Sequence, residues 1–211
     1  MHPHLLIPAV EPLLRWLNLA GIAVFAASGA LAAARLRLDI VGAGFFALVT
    51  AVGGGTMRDL LIDAPVFWMR DPAPVLICLV VATAIWFSPR RWWSDHALDW
   101  FDAIGLAAYA TFGAGKALHL GIAPLPAAAM GVVTACLGGI VRDVVAGVPS
   151  ILLRHELYVT AAALAAGLFV GLTDAGLGRP GPTIVGALAG FALRAGAIRW
   201  GWSLPGYRAR S

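Results

Sequence analysis

The chain has 211 residues, of which 60% are hydrophobic and 12% charged, with a formal net charge of +4 and a mean hydropathy of +0.84. A soluble domain is about 45–50% apolar and about 25% charged, and a chain of this length encloses too little volume to hide such an excess. The composition therefore excludes a water-soluble fold, and the absence of alternating ten-residue segments argues against a β-barrel.

Crossing about 30 Å of hydrocarbon takes roughly 20 apolar residues, and uncharged runs of that order recur along the chain. In order they are Leu17–Ala34, Ile40–Met57, Pro72–Pro89, Ala103–Gly115, Leu120–Val141, Leu157–Thr173 and Pro180–Leu193. The fourth is short unless Trp100 and Phe101 extend it, and the seventh must absorb Arg194. Seven helices are expected. The first ends in small residues like a cleavable signal peptide, a reading that the internal repeat opposes. Cys78 and Cys136 both fall inside spans, as small buried hydrophobes. The pI of about 9.7 does not point to nucleic acid, because the basic residues gather at helix ends.

Slid along itself, the chain aligns at one constant offset without a gap. GIAVFAASGALAA (21–33) falls on GLAAYATFGAGKA (105–117), VTAVGGGTMRD (49–59) falls on VTACLGGIVRD (133–143), Pro65 meets Pro149 and Arg70 meets Arg154. This is an internal duplication. The first span has a mid-chain partner that no peptidase removes, so it is expected to be retained. The expected organisation is a single membrane domain over 1–211, with repeat one at about 14–88, repeat two at about 98–174 and the seventh helix at about 180–200.

Three spans per repeat put the second copy into the membrane from the opposite side, an inverted repeat. With alternating helices, one face collects Arg15, Arg70, Lys116 and Arg179. The other collects Arg35, Arg37, Arg90, Arg91, Arg154, Arg199, Arg208 and Arg210. The richer face is expected to be cytoplasmic, with the N-terminus outside and the C-terminus in the cytoplasm.

Gly53, Gly54 and Gly55 in the second span, and Gly138 and Gly139 in the fifth, sit where a helix interior pays about 1 kcal/mol per glycine relative to alanine. Single glycines such as Gly42, Gly44, Gly167, Gly171, Gly186 and Gly190 suit close helix packing. The consecutive ones cannot share one packing face, so the preferred reading is a helix that bends or breaks and frees carbonyls, with packing as the alternative. Arg58–Asp59 and Arg142–Asp143 follow at once. Ionisable residues at such depth face an interior or a cavity. Because neighbours on a helix diverge, the expectation is pairing across the repeats, Arg58 with Asp143 and Arg142 with Asp59. The alternative is that each arginine snorkels to an interface. Ser28, Thr50, Thr111 and Thr134 offer hydroxyls to the same region, or bond their own helix backbone.

With these motifs in a seven-span duplicated chain, the sequence resembles the prokaryotic branch of the trimeric intracellular cation (TRIC) channels, over about residues 14–200. The resemblance implies a homotrimer in the bacterial inner membrane. Each subunit would carry a pore between kinked second and fifth helices, lined also by the first and fourth, that passes potassium and other monovalent cations without a cofactor. Leu137 stands where strict symmetry would want a third glycine. Lys116, at a position where the first repeat has Ala32, is either a snorkelling charge or, as the resemblance implies, a gating residue. The rival function is a secondary transporter of a small zwitterion such as glycine. An enzyme finds no support: His119 and His155 are isolated, and no nucleophile elbow or phosphate loop is present. There is also no TVGYG filter from which to read selectivity.

Overall fold

The computed structural model describes residues 10–94, 96–153, 156–178 and 180–205. His155 and the arginines at 154, 179, 208 and 210 counted above lie outside them. The described residues form seven α-helices: α1 Val10–Arg35, α2 Ile40–Leu61, α3 Ala73–Phe87, α4 Ala97–His119, α5 Pro124–Val145, α6 Val159–Asp174 and α7 Pro180–Trp200. Three short 3-10 turns interrupt the connections, at Phe67–Met69, Arg90–Trp92 and Ile151–Leu153.

All seven expected spans are helices, with shifted ends. The fourth reaches well past Ala103–Gly115 on both sides, because Leu98 and Asp102 are buried and extend the packed face. The fifth begins at Pro124, after Gly121 has turned the chain through a positive φ of 80°. α1, α2, α5 and α7 each contain a window long and apolar enough to cross a membrane, whereas α3 and α6 are shorter apolar helices of 15 and 16 residues. Many large apolar side chains on the outside, among them Val41, Val80, Leu125 and Leu188, are exposed, as lipid-facing positions are.

α1, α2, α4 and α5 form the centre, with α3 packed on α1 and α2, α6 on α4 and α5, and α7 on α4 and α6. The two halves meet through reciprocal contacts. A methyl group on Gly21 would strike the Tyr109 ring, and one on Gly105 would strike the ring of Phe25, the repeat counterpart of Tyr109. Phe25 and Tyr109 meet edge to face, with centroids 5.3 Å apart. At the α2–α5 crossing, Gly54 lies against the carbonyl of Thr134 and Gly138 against that of Thr50. Such swapped pairs are the pattern that a two-fold axis produces.

The crossing revises the expected role of the tandem glycines. α2 and α5 run through Gly53–Gly55 and Gly138–Gly139 as uninterrupted α-helix, so the expected break with freed carbonyls is not found. The consecutive glycines do point in different directions, as a turn of about 100° per residue requires. All but the direction of Gly53 meet a close neighbour: Gly54 and Gly138 the opposing backbone, Gly55 the ring of Phe67, Gly139 the hydroxyl of Tyr158. Elsewhere Gly186 and Gly190 seat α7 against the α6 backbone as expected, while Gly167 and Gly171 have nothing within 4 Å where a side chain would stand.

Candidate functional site

Two arginine–aspartate centres flank the crossing. Both lie in the last turn or two of their helix, where the chain leaves α2 or α5 and folds back as a 3-10 turn. In the first, Arg58 donates from Nε and Nη2 to Oδ1 of Asp59, each at 2.8 Å, and the backbone N–H of Phe67 donates to Oδ2 at 3.1 Å. In the second, Arg142 donates from Nε (2.9 Å) and Nη2 (2.8 Å) to Oδ1 of Asp143, and Ile151 N–H donates to Oδ2 at 2.9 Å. Each member of one centre is the repeat counterpart of the matching member of the other.

The cross-repeat pairs Arg58–Asp143 and Arg142–Asp59 are therefore not formed. Neighbouring Cβ atoms do diverge, but three methylenes let an arginine curl back and present two N–H groups along one edge. The returning turn holds the carboxylate in place to receive them. Neither arginine snorkels, since Arg58 and Arg142 are 1% and 2% exposed.

The remaining partners separate the two centres. Arg142 Nη1 donates to Asp102 Oδ1 at 2.7 Å and to Ser28 Oγ at 2.5 Å, so α4 and α1 both close over it. The positions equivalent to Asp102 and Ser28 are Asn18 and Phe112. Asn18 instead accepts from the Tyr109 hydroxyl, on both its side-chain and backbone oxygens, at 3.1 Å. Arg58 lies 5.7 Å from the Phe112 ring centroid, its Nη1 has no hydrogen-bond partner among the described residues, and it lines a cavity of about 120 Å³ with Asn18, Phe67, Tyr109, Phe112 and Lys116.

Lys116 completes the first centre. Its Nζ lies 2.7 Å from Asp59 Oδ1, joining α4 to α2, with its side chain 26% exposed. The snorkelling reading is therefore overturned, because the ammonium turns inward to a buried carboxylate. The Arg58 centre thus holds two cations and one carboxylate, and the Arg142 centre one cation and two carboxylates.

A family model described as "Glycine transporter" matches residues 15–90 and again 99–174, two segments related by the offset of the internal duplication. The inner membrane protein YadS of Escherichia coli K12, described as UPF0126, is 38% identical over 198 residues, covering 92% of this chain and 95% of that protein. A UPF0126 membrane protein of Vibrio cholerae is 39% identical over 199 residues, 92% of this chain and 82% of its own. Among solved structures, a TRIC trimeric intracellular cation channel orthologue from Rhodobacter sphaeroides is 42% identical with a TM-score of 0.82, covering 89% of this chain and 97% of that one. A prokaryotic TRIC channel is 26% identical with a TM-score of 0.84, over 92% and 100%. The chain belongs to the TRIC/UPF0126 family of membrane proteins.

In this TRIC-family chain the expected hydroxyls have mixed fates. Ser28 binds Arg142. Thr111 and Thr134 donate to carbonyls of their own helices, Ala108 at 2.9 Å and Met130 at 2.6 Å. Thr50 Oγ1, buried at the crossing, has no partner among the described residues. Arg194 is fully buried on α7, 2.8 Å from Glu156 and over the Tyr158 ring. Sequence reading missed Asp102, Asn18, Tyr109 and Phe112. The signal was present, since Asn18 and Asp102 are polar, lie in or beside apolar runs and occupy equivalent places in the two repeats.

Proposed function

We propose that the chain is a monovalent-cation channel, permeable to potassium and sodium, and a homotrimer with one conduction path per subunit. The 42% identity over 89% of the chain to a TRIC cation channel orthologue carries this reading. The path runs beside the α2–α5 crossing, where Gly54 and Gly138 let the two backbones meet and Gly53, Gly55 and Gly139 lie alongside. The cavity at the Arg58 centre supports an accessible mouth there, and the closed shell around Arg142 supports a fixed anchor at the other end. The reciprocal contacts, with three helices in each half, support an inverted repeat, and the excess of arginine on one face supports an N-terminus outside and a C-terminus in the cytoplasm of a bacterial inner membrane. A reporter at the C-terminus reads that orientation directly.

Lys116 is the gate in this account. With it in place, two cations face one carboxylate and a permeating cation meets a net positive site. With Lys116 withdrawn, Arg58 and Asp59 neutralise each other. A unit charge crossing the whole field gains about 2.3 kcal/mol per 100 mV, so one lysine moving through part of it gives shallow voltage dependence.

The description of the matching family model favours a second reading, a transporter of glycine. Arg58 Nη1 and Lys116 beside the 120 Å³ cavity suit an amino-acid carboxylate. Proteoliposomes separate the two. A channel collapses a potassium gradient at a rate indifferent to glycine, whereas a transporter shows saturable glycine counterflow and leaves the potassium gradient standing.

A further inference from the structure

The two arginine centres follow one repeated plan, so each shows what the other lacks. At the second, every nitrogen of the Arg142 guanidinium has an oxygen: Nε and Nη2 take Asp143, and Nη1 takes Asp102 and Ser28. At the first, Nε and Nη2 of Arg58 take Asp59 in the same way, but Nη1 has no partner among the described residues. The cause is two substitutions. Asn18 stands where the second repeat has Asp102, and Phe112 where it has Ser28. An amide carries no charge, and the oxygens of Asn18 accept from the Tyr109 hydroxyl instead.

The missing group leaves a space. The cavity of about 120 Å³ is walled by Arg58, by Asn18 and Phe112, and by Lys116, with no acidic residue among its described lining. Lys116 has no cationic counterpart, since the first repeat has Ala32 at that place, so this centre carries one positive charge in excess. Arg58 is 1% exposed, and a buried guanidinium N–H left unpaired is costly. A water molecule would satisfy the N–H but leave the excess charge in a poorly solvated site. An anion answers both.

We propose that the cavity binds a small monovalent anion, a halide or a compact carboxylate, which does for Arg58 what the Asp102 carboxylate does for Arg142. Arg58 Nη1 and the Lys116 ammonium hold it, and the Asn18 amide has two N–H donors on its other arm. The Lys116 side chain, 26% exposed, leaves a way in. Glycine is a poorer fit than formate, because its ammonium would join two cations whose carboxylate, Asp59, is already engaged. With the anion bound the centre is neutral while Lys116 stays in place. That consequence rests on the reading of this centre as the mouth of a cation channel; the binding itself does not.

Thermal unfolding of the purified full chain in potassium chloride, formate or gluconate, at equal ionic strength, tests the site. Gluconate is too bulky for the cavity and sets the baseline. A saturable rise of a few degrees in chloride or formate is expected, as for a ligand that binds only the folded state. Asn18→Asp restores the carboxylate that the second repeat has, so it should melt higher than the parent in gluconate and lose the dependence on chloride and formate. Identical melting of the parent in all three salts would overturn the proposal and leave water as the partner of Arg58. So would an undiminished chloride and formate effect in Asn18→Asp, which would mark a general salt effect, or stabilisation by glycine alone. Melting is read without ion flux, so these outcomes stand apart from the potassium-gradient assay: either reading can fail while the other holds.

Discussion

Alanine at Gly54 separates two accounts of the tandem glycines. If they were flexible points, a methyl group would only stiffen α2, and the protein would gain up to about 1 kcal/mol of helix propensity while losing conduction. The crossing gives a different answer. A methyl on Gly54 meets the Thr134 carbonyl far inside contact distance, and a helix backbone cannot swing aside as a flexible side chain can. The two helices must part by roughly an ångström, an overpacking that costs about 1–3 kcal/mol. After the propensity gain, Gly54→Ala should be destabilised by about 1–2 kcal/mol. Gly138→Ala should behave alike, since it meets Thr50 in the same way. The double variant should cost less than the sum of the two, because parting the crossing once relieves both clashes. Gly53 is the control. Its nearest neighbour would be Gly138 Cα at 3.8 Å, an ordinary contact, so Gly53→Ala should be neutral or stabilised. Reversible unfolding in mixed micelles, with trimer yield, reads all four. A Gly54→Ala protein as stable as its parent would refute the close-approach argument.

Lys116→Met leaves the two Arg58–Asp59 contacts intact and removes the second cation, so open probability at low voltage should rise and voltage dependence flatten; unchanged gating in bilayer recordings would assign Lys116 to structure alone. Asp59→Asn strands two cations around a buried site and should cost about 3–5 kcal/mol, measured by unfolding. In a double-mutant cycle Arg58 should couple to Asp59 and be additive with Asp143 within about 0.5 kcal/mol. Asp102→Asn reproduces what the first repeat has at Asn18; it should cost about 1–3 kcal/mol through the weakened Arg142 contact while leaving unitary current in place.

The sequence was most informative where a property repeats along the chain. Apolar runs marked the seven helices, and the constant offset of the duplication made Gly54 and Gly138, like Arg58 and Arg142, strict equivalents. It was least informative where an outcome depends on which group comes back through space. The Arg58–Asp59 pair forms because Phe67, further along the chain, returns to hold the second carboxylate oxygen, and no helical periodicity encodes that return. The inward turn of Lys116 likewise depends on Asp59, distant in sequence and on another helix. The asymmetry between the centres was readable in principle, by writing Asn18 over Asp102 and Phe112 over Ser28, since each substitution removes a partner that Arg142 has and Arg58 lacks.

The sign of the permeant ion tests the account most directly, because the positive charge of Arg58 and Lys116 would by itself draw anions. Purified trimer in a planar bilayer under a KCl gradient should give unitary currents whose reversal potential lies toward that of potassium. Unitary currents reversing toward the chloride potential, or no unitary current alongside glycine counterflow by the same preparation, would contradict it.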